Sequence, residues 1–450
     1  MNEAVEQAQD NRWPWKASWP LALLTLIAVF NYLDRSLLGL ALPLVKREFG
    51  SSDTMLGLVT GVAFVLLYSV LGVPIAWMAD RCNRRNIITL GLAFWSLMTA
   101  LTGFVGSLWQ LALARFLMGA GEACAMPPSN SMIADLVPPR RRPLAMAIFG
   151  TANSLAFIIF FPIAGWVAQH YGWRAMFLAM GAPGLLVALL FIATVREPMR
   201  QKQAATVVRP SAGAILNDVG QLFRNRWFCW IFAGVTLMGA NVWAAGAWTP
   251  TFFARVHHMG LAEVAGTVGP VRGFVGAAGV LAGGFVIDRL PVHRDHWRLV
   301  IPALACILAG PAEALFLLGD QRVLWLSGYV ATSFLSLIHQ GPIYAATMNV
   351  VRSGQRALAI SVILFGAGFL GNVVGPSAVG FLNDRLAAVH GPMAVRYSML
   401  IIALTPILAG LCFLKAAFLA RRPQDGAMAS NHIDLNRKWG DESGTQNSRT

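Results

Sequence analysis

Twelve stretches of this chain are apolar over about 20 residues or more, the length a helix needs to cross the hydrocarbon layer of a membrane. They fall near 19–44, 55–79, 86–107, 109–134, 143–168, 174–194, 227–254, 262–287, 298–319, 323–350, 356–383 and 394–419. One or two soluble cores could not hide that much apolar surface. Of 450 residues, 56 % are hydrophobic and only 12 % are charged, about half the ~25 % of a soluble domain, and the mean hydropathy is +0.58. The expected fold class is therefore an all-α membrane protein with twelve transmembrane helices. Breakers separate the runs at Gly50-Ser51-Ser52, Pro138-Pro139, Tyr171-Gly172-Trp173, Gly319-Asp320 and His390-Gly391-Pro392.

The net charge of +14 does not indicate nucleic acid, because the basic residues sit in short loops between apolar runs and form no basic face or arm. The five cysteines, Cys82, Cys124, Cys229, Cys306 and Cys412, never form a CxxC pair. Neither a disulfide framework nor a metal site is indicated. No GxxxxGK[ST] loop is present to drive an ATP-powered pump, and neither HExxH nor GxSxG occurs, which weighs against a membrane hydrolase. Gly119-Ala120-Gly121 lies inside a span with no strand before it, so it is not a dinucleotide loop. No enzymatic activity and no cofactor are expected. The first sixteen residues carry Glu3, Glu6 and Asp10 and lack the basic-then-apolar order of a cleaved signal, so the first span is read as retained.

Lysine and arginine number 24 on the side that holds both chain ends and 7 on the opposite side. By the positive-inside rule the ends and the middle loop are expected in the cytoplasm, with the protein in the cell (inner or plasma) membrane. The loop between spans 6 and 7 divides the chain six and six. Asp80-Arg81 after span 2 has a counterpart in Asp288-Arg289 after span 8, each with a small residue four positions earlier, Ala76 and Gly284. That repetition is the mark of a duplicated six-helix unit, giving two pseudo-symmetric bundles. The expected organisation is a tail over 1–18, a first bundle over 19–194, a middle loop over 195–226, a second bundle over 227–420 and a polar, disordered tail over 421–450.

Ionisable residues inside a span cost ~2.5–3.5 kcal/mol on insertion scales and point to function. Span 1 carries Asn31, Tyr32, Asp34 and Arg35, and span 4 carries Arg115 and Glu122. Because the two spans run in opposite directions, Asp34 and Glu122 fall at nearly the same depth at 1.5 Å per residue. Arg115, Gly119 and Glu122 form one helical stripe. Two readings compete. The pairs could lock helices together, although buried ion pairs seldom beat apolar packing. Alternatively, Asp34 and Glu122 alternate between an arginine partner and a proton, with Arg35 and Arg115 as partners or anion ligands. The second half offers Arg272 in span 8, which requires an anion: either Glu313 in span 9 or a substrate carboxylate or phosphate. Asn241, Trp243, His339, Gln340 and Asn372 are further cavity candidates, and Trp248, Phe252 and Phe253 suit either a cavity wall or an interfacial belt. At the cytoplasmic end, Asp80, Arg81, Arg84 and Arg85, with Asp288 and Arg289 as a weaker copy, are read as a gate.

Asp80-Arg81-Cys82-Asn83-Arg84-Arg85 resembles the loop signature of the major facilitator superfamily, GxxxDRxGRR, with Ala76 and Asn83 in place of its two glycines. Arg115-x3-Gly119-x-Gly121 resembles the same superfamily's helix 4 motif. Within it, Asn31-Tyr32-Leu33-Asp34-Arg35, Gly119-Ala120-Gly121-Glu122-Ala123, Ser131-Met132-Ile133-Ala134-Asp135-Leu136, Gly172-Trp173-Arg174 and Val195-Arg196-Glu197-Pro198 are most similar to the Spinster-like branch. The second half matches only through span count and Gly284-x3-Asp288-Arg289. The anion:cation symporter branch shares an Asp-Arg in helix 1 and a Glu-Ala in helix 4. The resemblance implies the two-bundle major facilitator fold, rocking around a central site and exchanging protons against a substrate. Spinster-like relatives handle lysolipids and sphingoid phosphates, while the other branch carries organic acids. It also implies that Asp34 and Glu122 carry protons. The partners expected are a small-molecule substrate, protons and the lipid bilayer, with the protein acting as a monomer. A membrane receptor that kept the fold and lost turnover is the alternative from another class.

Overall fold

The computed structural model describes residues 15–199, 212–289, 296–351 and 355–420. The expected polar tails therefore lie largely, and the middle loop partly, outside the described residues. Everything regular among them is helix, as a lipid environment requires when each backbone N–H and C=O must be satisfied within its own segment.

Twelve spans follow one another. Span 1 is Trp15–Phe49; span 2 joins Asp53–Leu58 and Phe64–Ala79; span 3 is Arg84–Thr102; span 4 joins Leu108–Glu122 and Met126–Leu136. Span 5 begins at Arg142–Gly150 and continues into Phe161–Thr194, which bends at Gly172 (φ 84°) to become span 6. After a connecting helix, Ala212–Arg224, span 7 is Arg226–Val256, span 8 joins Leu261–Pro270 and Gly276–Asp288, and span 9 is Trp297–Leu318. Span 10 joins Arg322–Leu335 and Gln340–Val350, span 11 joins Arg356–Phe365 and Gly371–His390, and span 12 joins Ala394–Ile402 and Leu404–Ala420.

The breakers read from the sequence act through backbone geometry. Gly50 (φ 59°), Gly172 and Gly391 (φ 53°) occupy the left-handed region where a side chain is strained, and each ends a span. The next helices are started by caps: the side chains of Ser52, Asn83, Ser107 and Asn225 accept bonds from Met55, Asn86, Gln110 and Trp227 N–H. Outward-facing apolar side chains such as Leu90, Phe104, Leu186 and Leu189 are two-thirds or more exposed, a surface suited to lipid.

Spans 2, 5, 8 and 11 each contain one π turn, at Val59–Ala63, Ala156–Phe160, Val271–Val275 and Gly366–Leu370. These turns lie where the two halves meet. On the side away from the chain ends, Asp53–Leu58 packs along Gly371–His390, and Phe161–Thr194 packs along Leu261–Pro270. Approach there is close: a Cβ on Gly57 would stand 2.5 Å from the Pro376 carbonyl oxygen. Beyond the π turns, towards the side of the chain ends, the same spans diverge. The result is a two-bundle molecule closed on the far side and open on the near side.

Charged bridges cross between the bundles at the closed side. The Arg255 guanidinium, at the end of span 7, holds the Asp53 carboxylate with both terminal nitrogens at 2.6 and 2.9 Å, and Lys46 adds a third donor at 2.7 Å. The Asp384 carboxylate, in span 11, accepts the backbone N–H groups of Asp53 (2.9 Å) and Thr54 (2.8 Å) and the Thr54 hydroxyl (2.5 Å). Span 11 thus caps the positive end of span 2 across the bundle boundary.

Candidate functional site

Between the bundles lies a cavity of about 680 Å³, lined from the first half by Tyr32, Arg35, Phe64, Arg115 and Phe157 and from the second by Asn241, Trp243, Arg272, Glu313, Tyr329, Gln340 and Asn372 among others. Three arginines therefore face it.

Spans 1 and 4 meet through Arg35 and Asn31, not through the Asp34 side chain. Glu122 is fully buried behind the cavity wall, where its Oε2 takes the Arg35 Nε at 2.6 Å and the Asn31 amide at 3.1 Å. Arg35 stands in the wall, its guanidinium over the rings of Tyr68 (4.7 Å) and Phe64 (5.2 Å). The same side chain thus touches the cavity and the buried carboxylate. Asp34, one residue earlier and 1 % exposed, points the other way, against Trp95 and Thr99 of span 3. Successive helical residues differ by about 100° around the axis, so Asp34 and Arg35 cannot face the same cavity. Arg115 does not pair with a carboxylate side chain. It donates to the Asp34 backbone carbonyl at 3.1 Å and lies over Phe64 at 5.4 Å. Seven residues separate Arg115 from Glu122, about 10 Å of helix rise, which places it beyond reach while Arg35 occupies the nearer position.

In the second half, Arg272 and Glu313 line the same cavity without forming an ion pair. Glu313 accepts the Asn241 amide at 2.8 Å, and Arg272 crosses the bundle boundary to stack on Phe157 at 4.7 Å. Trp243 lines the cavity and donates to the Ala367 carbonyl, whereas Trp248, Phe252 and Phe253 are fully buried and form no interfacial belt. Two candidates fall outside the cavity lining. Asn31 is spent on Glu122, and His339 bonds the Ser336 carbonyl at 2.7 Å and stacks against Phe413 of span 12. Gln340, one position on, faces the cavity in its place.

The loop charges divide. Arg84, 2 % exposed, is clamped within the first bundle, its Nε on Glu197 (2.7 Å) and an Nη on Asp135 (2.6 Å) and Ser131 Oγ (3.0 Å); Glu197 also accepts the Arg85 N–H (2.8 Å). Three sequence segments noted separately, 80–85, 131–136 and 195–198, thus converge on one arginine. In this state it fastens spans 3, 4 and 6 and does not reach across the bundle boundary. Arg84→Met leaves both carboxylates unmatched and is expected to cost roughly 3 kcal/mol, the lower end for a broken buried pair because the acids are partly solvated. Thermal unfolding of the purified variant checks it. Arg81 lies over Trp77, and Arg289 over Phe285; Asp80 and Asp288 remain at the near-side mouth.

The Major Facilitator Superfamily model matches residues 24–376. An MFS-type efflux pump of Mycolicibacterium smegmatis (strain ATCC 700084 / mc(2)155) is 31 % identical over 419 residues, covering 92 % of this chain and 95 % of that protein. A Bacillus subtilis (strain 168) protein named "Probable galactarate/D-glucarate transporter GudP" is 25 % identical over 90 % of this chain and 93 % of its own. Protein spinster homolog 3 of Danio rerio is 25 % identical, with 90 % and 86 % covered. Among solved structures, a bacterial homolog of the human lysosomal transporter Spinster, inward-facing and unoccupied, superposes with a TM-score of 0.77 at 26 % identity, over 90 % of this chain and 98 % of that one.

Proposed function

Because the chain belongs to the major facilitator superfamily, as a Spinster-like multi-pass secondary transporter of an anionic organic solute and not an enzyme, we propose that proton movement drives its substrate through the cavity between the bundles. The observation that carries this reading is the double engagement of Arg35, which lines the cavity and holds buried Glu122 at 2.6 Å. An anion entering the cavity competes for that guanidinium. Once its partner turns away, a carboxylate sealed from water at Glu122 is stable only with a proton. Anion binding and proton uptake are thereby coupled through one side chain. Asp34, sealed against span 3 beside Arg115, is the second proton carrier.

In this proposal both chain ends lie in the cytoplasm, the protein is a monomer in the cell membrane, and the state described is inward-facing. Substrate flux and proton flux are measured together, in proteoliposomes that hold a pH-sensitive dye and are offered D-glucarate or a lysolipid. Movement of substrate with no change of internal pH, under any imposed gradient, contradicts the coupling. An organic-acid importer is the second reading, favoured by the names of the sugar-acid relatives and by the polar lining of Asn241, Gln340 and Asn372.

Asp80 is proposed to close the cytoplasmic side once the molecule turns outward, meeting a second-half helix end across the boundary. Asp80→Asn is expected to slow transport severalfold while substrate affinity, read by thermal stabilisation, stays within about twofold. Wild-type turnover in that variant removes the gate.

A further inference from the structure

Two side chains of the second half reach the cavity with their polar groups uncommitted. Arg272 stands in the π turn of span 8 with its guanidinium against the face of Phe157, and among the described residues no carboxylate lies within ion-pair distance of it. Glu313, the acidic neighbour that could have served, is engaged by Asn241. Tyr329, in span 10, is 5 % exposed and lines the same cavity, and its buried hydroxyl, with Ser333 one turn on as its polar neighbour, completes no hydrogen bond of good geometry. Its ring is held in a pile of aromatics, 4.9 Å from Phe316 and 5.8 Å from Phe253, which fixes where the hydroxyl sits. Span 10 packs directly on the π turn that bears Arg272.

A buried phenol with no well-placed acceptor and a guanidinium with no anion are both unfavourable states in a lipid setting. One oxyanion placed between them satisfies both: the guanidinium donates to it as a fork and the phenol donates a single hydrogen bond. We propose that Tyr329 is the specificity-determining partner of Arg272 in a two-donor seat for the carboxylate or phosphate of the transported solute. The inference rests on the transporter reading above but not on its proton coupling. The rigid ring gives the seat its selectivity. A preset hydroxyl adds affinity only for a group that can accept from it, and it is left stranded by a neutral or cationic one.

Binding is measured by thermal-stabilisation titration of the purified full chain with D-glucarate as the carboxylate probe and 1-oleoyl lysophosphatidate as the phosphate probe. Their uncharged counterparts, glucaramide and 1-oleoylglycerol, are run beside them. Tyr329→Phe keeps the aromatic pile, and an unchanged melting temperature without ligand verifies that. The anion that stabilises wild type is expected to lose about 10- to 100-fold in affinity in Tyr329→Phe, the worth of a hydrogen bond to a charged group. Arg272→Lys should lose a similar amount because an ammonium has no planar fork. Affinity for the uncharged counterparts should change little. Equal affinity of Tyr329→Phe and wild type for the anion, an equal loss for the uncharged counterpart, or stabilisation of wild type by neither anion overturns the seat. No gradient enters these titrations, so a failure of proton coupling, seen only in flux, leaves their outcome unaffected.

Discussion

Glu122→Gln and Asp34→Asn are expected to abolish accumulation of substrate against its gradient while leaving binding and downhill exchange largely in place. A one-unit pH gradient coupled to one proton is worth about 1.4 kcal/mol, or about tenfold accumulation; the variants should reach an accumulation ratio near one. Both changes keep side-chain shape and remove only the titrating oxygen. In Glu122→Gln, Arg35 loses its charged partner and becomes a permanently free cation in the cavity wall, so anion affinity is expected to hold or rise. Asp34 has no such link to the cavity, since it lies against span 3. Its neutralisation should leave affinity unchanged. Proteoliposome uptake with and without an imposed pH gradient checks both variants. If both concentrate substrate as the wild type does, these carboxylates are structural and coupling resides elsewhere.

Asp53→Asn is expected to open the far side. The change removes the charge that Arg255 and Lys46 share and leaves the Arg255 guanidinium facing a neutral amide. Losing a charge-assisted bond of this kind costs ~1.5–3 kcal/mol, which shifts the balance between the two open states about 10- to 100-fold. Spin labels on the exposed residues Met55 and Val389, on spans 2 and 11, should report a longer distance in the variant. Wild-type distances would mean that the close glycine contacts alone keep this side shut.

How far the sequence reaches can be seen residue by residue. Span count, the breaks at Gly50, Gly172 and Gly391, the duplicated Asp-Arg loops and the common depth of the span 1 and span 4 charges are legible in hydropathy, turn residues, helical rise and antiparallel direction. Those are local or one-dimensional quantities. Which face each charge presents is not. Asp34 and Arg35 are adjacent in sequence and look equally intramembrane, yet one is sealed against span 3 and the other forms the cavity wall. His339 and Gln340 divide in the same way. Rotation of each helix about its axis is set by packing with neighbours distant in the chain, and a one-residue difference turns a side chain by about 100°.

The far-side latch was equally hidden. Asp53, Arg255 and Asp384 read as ordinary loop-end charges, and only the joining of spans 2, 7 and 11 brings them together across more than 300 residues between Asp53 and Asp384. Tyr329 carried no signal at all, because a tyrosine in an apolar run is indistinguishable from packing until its hydroxyl is seen buried without a well-placed acceptor. By itself the sequence determined that the chain crosses a membrane twelve times in two related halves and which charges it carries into the lipid. The tertiary structure alone decided which of them face the solute, which face one another and which close the door, because those choices depend on helix rotation and cross-bundle contact.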